Sequence, residues 1–354
     1  MTEPMNKKQI SENQTIDSNT KITTTEMHTA GEPLRIIETG FPPVEGENIL
    51  DKMKYAKRHL DAYRKFLMYE PRGHFDMYGA ILVKPNVPSA DIGVLFMHNE
   101  GFSTMCGHAV IALGRYAVDK GYVKTITCPE TQVNIQCPCG LVKTYVSYNN
   151  GRSAAVRFHS VPAFIHSRDI QVDVPKFGTI TLDVSYGGAF YAILPASHLG
   201  LDLHKSKFRE LVSAATCITE TVKQEEIIHP ESPALSFLYG TILTDDMIPE
   251  KNGEIKTANI CVFADGEVDR SPTGSGVTAR IALMLGKGQI KMNEKVSFIS
   301  STTQGEFTGC PIEAVNIGDQ AAVCVEVAGE AFYCGQSTFI YEKGDALGKG
   351  FLLH

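Results

Sequence analysis

Apolar and polar positions alternate with a period of two over much of this chain. GAILVKP, IGVLFMHN, VNIQCPCGLVKTYVSY, AAVRFHSVPAFI, TITLDVSYGGAFYAIL and AAVCVEVAGEAFYCGQSTFIY each predict a short strand. A helical period shows in fewer places. ILDKMKYAKRHLDAYRKFLMY is amphipathic and predicts one surface helix, and HLGLDLHKSKFRELVSAATCITETVKQE predicts another with a break after its first turn. GHAVIALGRYAVDKG and GSGVTARIALMLGKG are apolar on all sides, the pattern of a helix wrapped by sheet.

Those last two segments resemble each other. Each follows a turn of small residues, Met105-Cys106-Gly107-His108 in one and Pro272-Thr273-Gly274-Ser275 in the other. Each carries an arginine (Arg115, Arg280) and ends in Lys-Gly (Lys120-Gly121, Lys287-Gly288). Aligning Cys106 with Thr273 gives an offset of 167 positions. The segments MHTAGEPLRI and VSYGGAFYAI fall at similar distances before the two turns. A duplication accounts for this agreement better than chance. It predicts two α/β halves facing across a cleft, over residues 22–177 and 178–336. A tail covers residues 1–21, and a C-terminal segment, 337–354, can return to the first half.

Length and composition fit two ordinary domains. The chain has 354 residues, 43% of them hydrophobic and 21% charged, which excludes a disordered protein. A formal net charge of -7 without a long Lys/Arg run argues against nucleic acid or an anionic membrane as partner. The first twenty residues are polar and lack the apolar core of a secretory signal, so the expectation is a disordered tail on a cytoplasmic protein with reduced thiols. Nine cysteines offer one local pair, Cys137 and Cys139 in CPCG; no second Cys or His pair stands at finger-like spacing, so strand ends or a turn is expected there and no metal. A homodimer is the base-rate expectation for assembly.

The chemistry centres on the two turns. Helix N-termini present unpaired N–H groups and a positive end, so two of them converging make a site for a small carboxylate. The P-loop lysine pattern and the dinucleotide G-x-G-x-x-G are both missing from the sequence. Cys106 stands at the first such position, where a helix end should lower a thiol's pKa and prepare it as base or nucleophile. His108, two residues on, is placed to orient a substrate group or tune the sulfur. Asp269 precedes Thr273 by four residues; an acid beside an anion cradle makes sense if the ligand also carries a cation, as an amino acid does. His28 and Glu32 in MHTAGEP are further candidates, as are Arg72, His74 and Asp76 in EPRGHFDMYGA as a supporting network.

MHTAGEPLRI, EPRGHFDMYGA, NEGFSTMCGHAVIALGR and DRSPTGSGVTARIAL, in this order, resemble the proline racemase family, and the resemblance runs from about residue 22 to the C-terminus. It implies a diaminopimelate epimerase-like fold of two pseudo-symmetric halves, each a curved sheet around a central helix, with no cofactor. It also implies that Cys106 is a catalytic base, that Gly107, His108 and Asp269 contact the substrate, and that Gly274 and Ser275 bind its carboxylate. Family racemases place a second cysteine where this chain has Thr273. An alcohol ionises far above neutral pH, so one face of the site lacks a proton carrier. The implied reaction is then elimination of water from trans-3-hydroxy-L-proline, giving Δ1-pyrroline-2-carboxylate. The alternatives are proline racemisation or hydroxyproline 2-epimerisation, which Thr273 opposes, and non-catalytic amino-acid binding.

Overall fold

The computed structural model describes residues 16–245, 248–249 and 255–353. The tail expected over 1–21 therefore lies, for residues 1–15, outside the described residues; beyond them Ile16 is buried against the core.

The first half begins with β1 (Lys21–Thr29) and β2 (Glu32–Thr39), and then runs through α1 (Ile49–His59) and α2 (Asp61–Met68). Here one helix was expected and two are found. The chain breaks at Leu60, whose φ of -119° and ψ of 11° leave the helical region. There follow β3 (Gly79–Val83), β4 (Ile92–Met97), β5 (Phe102–Ser103), α3 (Gly107–Asp119), β6 (Glu130–Cys137), β7 (Gly140–Asn149) and β8 (Arg152–His159). Cys137 closes β6 and Cys139 sits in the β6–β7 turn, as CPCG predicted. The second half comprises β9 (Phe164–Val174), β10 (Gly178–Tyr186), β11 (Phe190–Pro195), α4 (Phe208–Val222), β12 (Leu238–Thr244) and β13 (Ile248–Pro249). It continues with β14 (Ile255–Phe263), β15 (Glu267–Asp269), α5 (Gly274–Gly286), β16 (Val296–Ser300), β17 (Glu306–Ile317) and β18 (Gln320–Gly329), and β19 (Ala331–Ile340) follows.

The halves repeat one strand order. β1 runs antiparallel to β2, β2 parallel to β3, β3 antiparallel to β4 and β4 parallel to β6, before the β6–β7–β8 meander. β10, β11, β12, β14, β16, β17 and β18 pair in the same sequence of directions. α3 and α5 are both thirteen residues long and keep the 167-position offset at both ends. β8 and β18 join the halves edge to edge. Each half also exchanges a strand. β9 follows β8 in the chain but pairs with β10, and β19 follows β18 but pairs with β1. The strand pairing thus changes from one half to the other near residues 160–163 and at Glu330. The strand-edge pairing, which composition does not reveal, decides where each strand belongs.

Each half of the continuous sheet wraps one central helix. Val110, Ile111, Leu113 and Val118 of α3, and Val277, Ile281, Leu283 and Met284 of α5, are buried in one continuous core. Burying a side chain of this kind is worth roughly 1.5–3 kcal/mol, far more than differences in helix propensity. Packing therefore holds these helices although both contain glycine and β-branched residues. The buried Arg280 is satisfied by Asn259 Oδ1 at 3.0 Å and Thr257 Oγ1 at 2.6 Å. Among the described residues no helix is long and apolar enough to cross a membrane.

Candidate active site

The two central helices meet end to end. A Cβ placed on Gly107 would lie 2.3 Å from the Gly274 Cα, and one on Gly274 would lie 2.6 Å from the Gly107 Cα. Only glycine at both positions allows this backbone contact, and it brings Cys106 and Thr273, the two N-cap residues, to the same point. Among the described residues neither cap has a side-chain cap hydrogen bond, and neither first turn holds an acid. The N–H groups of Gly274, Ser275 and Gly276 therefore have no acceptor within their helix, the condition for holding a carboxylate.

Local hydrogen bonds shape the second cap. Asp269 ends β15 opposite Cys261, and its Oδ1 accepts the Ser271 N–H at 2.7 Å; Ser271 Oγ accepts the Thr273 N–H at 3.1 Å. Thr273 is held at φ 66°, an unfavourable value for a β-branched residue. Its Oγ1 is buried and without a hydrogen-bond partner among the described residues. It still lies near enough to Asp269 and Cys261 to favour their ionised forms. Ser275 exchanges a hydrogen bond with Tyr191 at 2.7 Å.

Around the first cap, the Cys106 sulfur lies 3.1 Å from His108 Nδ1. The expected lowering of the thiol's pKa is not what the surroundings produce. Burial pushes Cys106 up and Asp269 pushes it further, against the smaller opposing pull of the Ala109 N–H at the helix end. The local rule of helix ends loses to desolvation, a tertiary effect. Burial likewise lowers His108 to about 3, so its ring is neutral, and it interacts with the Pro33 carbonyl. Asp269 is raised to about 6, chiefly by burial.

Glu32, expected only as a further candidate, belongs to the site. One of its oxygens accepts the Arg270 N–H at 2.6 Å, while Oε1 is buried without a partner among the described residues. Burial first and Asp269 second push its carboxyl well up. Ligating atoms of Glu32, His108 and Asp269 lie within 4.8 Å of one another, a set that suits one small cation, an ammonium or a metal ion. His28 stays outside: its Nδ1 accepts the Gly31 N–H, and its ring stacks on Phe332. Of the EPRGHFDMYGA residues, Asp76 supports the site, accepting from the Val268 N–H at 3.0 Å and pairing with Arg270 at 3.1 Å. His74 lies near Arg270, whose charge helps lower it. Arg72 instead covers the Phe66 ring and bonds to Gly348. Sequence reasoning missed Tyr78, Tyr191, Tyr239, Phe263 and Glu267. Tyr78 lies inside a quoted motif and Glu267 two residues before Asp269, so adjacency to known site residues was the available signal.

This pairing of two helix ends over a buried acidic pair defines a class. Residues 24–352 match the family described as Proline racemase, and the chain belongs to that family. A trans-L-3-hydroxyproline dehydratase from Xenopus tropicalis is 54% identical to it, covering 93% of this chain and 94% of its own. A human trans-3-hydroxy-L-proline dehydratase is 54% identical over 93% of both chains. Among solved structures, a hydroxyproline epimerase from Agrobacterium vitis with bound trans-4-OH-L-proline superposes with a TM-score of 0.87 at 26% identity, covering 94% of this chain and 95% of its own.

Proposed function

We propose that this chain is a hydro-lyase that removes water from trans-3-hydroxy-L-proline, forming an enamine that tautomerises to Δ1-pyrroline-2-carboxylate. The observation that carries the reading is the asymmetry of the two caps: a sulfur at the start of α3 and a hydroxyl at the equivalent start of α5. It agrees with the names of the relatives.

The substrate carboxylate takes the N–H groups of Gly274 and Ser275, whose hydroxyl Tyr191 holds in place. The ring ammonium sits among Asp269, Glu32 and His108. There it offsets the Asp269 charge, which adds to burial in holding Cys106 as a thiol. Cys106, once ionised, removes the α-proton and the electron pair expels the 3-hydroxyl. In the trans isomer the α-hydrogen and the hydroxyl share one face of the ring, so base and leaving group are on the same side. Thr273, on the other face, cannot return a proton to carbon near neutral pH, so inversion is not supported.

The test is the formation of Δ1-pyrroline-2-carboxylate by wild type and Cys106→Ser. Loss of a positioned base should lower the rate by about 10³-fold. Retained activity in that variant, or deuterated D-proline formed from L-proline in deuterated water by wild type, would refute the reading.

A further inference from the structure

The steps above leave the departing oxygen without a proton donor. His108 is neutral and already engaged with Cys106 and Pro33, and Cys106 is the base. A third group packs on His108, whose Nδ1 is 3.1 Å from the sulfur. Tyr78 is buried, with its hydroxyl hydrogen-bonded to Ser103 Oγ, three residues before Cys106 in the chain. The same hydroxyl favours the ionised form of Cys106, and the Tyr239 side chain on β12 acts on it in turn. The Tyr78 ring meets that of His108 edge-on at 4.9 Å and joins a wall with Phe96, His98 and Phe263. A wall of this kind needs an aromatic ring but not a phenol. A buried hydroxyl is costly when unpaired, so its hydrogen bond to Ser103 is a built feature.

We propose that Tyr78 is the general acid of the dehydration, protonating the 3-hydroxyl as it leaves on the Cys106 side of the ring. The proposal rests on the dehydratase reading and accounts for its syn geometry. The Cα–H bond breaks and an S–H bond forms; the released pair makes the Cα–Cβ double bond. The Cβ–O bond breaks, and the oxygen takes the phenolic proton and departs as water. The Cys106 thiol then passes its proton to the Tyr78 phenolate, restoring both groups. The cycle consumes no outside proton and no oxidant or reductant. Burial raises Tyr78, which keeps it a protonated phenol until the hydroxyl departs.

A leaving group that needs no proton separates this role from a structural one. Tyr78→Phe and wild type are compared on trans-3-hydroxy-L-proline and on trans-3-chloro-L-proline, both giving the same pyrroline product. The variant should lose about 100-fold or more on the hydroxylated substrate and stay within about threefold of wild type on the chlorinated one. Ser103→Ala should lose about tenfold on the first substrate alone, since it orients the phenol. Equal losses of Tyr78→Phe on both substrates, or hydroxyl elimination within tenfold of wild type, would overturn the proposal. A wild type that forms no pyrroline from the hydroxylated substrate would instead overturn the underlying reading.

Discussion

Replacing Asp269 with Asn should make the protein more stable and less active at once. Burial raises the folded-state pKa of this carboxyl from 3.8 to about 6. An acid so raised binds its proton more tightly when folded, so its favourable contribution is present below pH 4 and is lost as pH rises through about 6. At pH 8 the ionised carboxylate costs about 3 kcal/mol, and at pH 4.5 about 1 kcal/mol, taking 1.36 kcal/mol per pKa unit. Asn keeps an acceptor for the Ser271 N–H and, like the protonated carboxyl, carries no charge; exchanging carboxyl for amide there costs about 1 kcal/mol, nearly independent of pH. The expected net effect of Asp269→Asn is about zero at pH 4.5 and a gain of about 2 kcal/mol at pH 8. Urea unfolding of both proteins at the two pH values measures it. The variant should also alkylate faster at Cys106 at pH 8, because the second-largest influence raising that thiol is gone. It should turn over poorly, having lost a partner for the substrate ammonium. A stability difference that does not change between pH 4.5 and 8 would refute the reasoning, since it would mean that Asp269 titrates alike in the folded and unfolded chains.

The pH dependence of kcat/KM should follow the free-enzyme thiol: with Cys106 raised by burial, the rate climbs about tenfold per pH unit from neutral into the alkaline range. A plateau already reached at pH 7 would contradict it. Gly107→Ala should abolish activity and lower the melting temperature, because its Cβ would lie 2.3 Å from a backbone atom of Gly274 that cannot move aside. Gly335→Ala, which would meet nothing within 4 Å, serves as the control in the same melting and turnover assays.

The two caps were legible in the sequence because their signals are local. A small-residue turn before an apolar run marks a helix start, and its repetition after 167 positions marks a duplicated one; both central helices keep that offset at both ends. The break at Leu60 was not legible, since apolar spacing continues across it while one residue's backbone does not. The strand exchange was hidden for a related reason: β9 and β19 carry ordinary strand patterns, and which edge a strand joins is settled by the other strand. The tyrosines around Cys106 come from three separate places, before β3 and in β11 and β12, with no common spacing. Desolvation of the thiol could not be read locally either, because it depends on what the whole fold places over the sulfur.

The scaffold is more symmetric than the site. Both caps accept a first-turn bond at their carbonyl, from Val110 at 2.9 Å and Val277 at 2.7 Å, and both helices run thirteen residues. Their backbones nonetheless differ, with φ at -146° for Cys106 and at 66° for Thr273. Holding a β-branched residue at positive φ costs on the order of 1–3 kcal/mol, and that strain persists only because Ser271, the Asp269 turn and the Gly107–Gly274 contact determine the position together. A sulfur introduced at residue 273 would inherit this backbone and the unpartnered space around Oγ1, rather than the extended cap and neighbouring His108 of Cys106. The exchange of one thiol for one hydroxyl removes the proton carrier that inversion needs, and the different backbone predicts that Thr273→Cys alone will not recreate a second Cys106. The repeated scaffold presents two helix ends, and the turn before each gives its cap residue a different backbone.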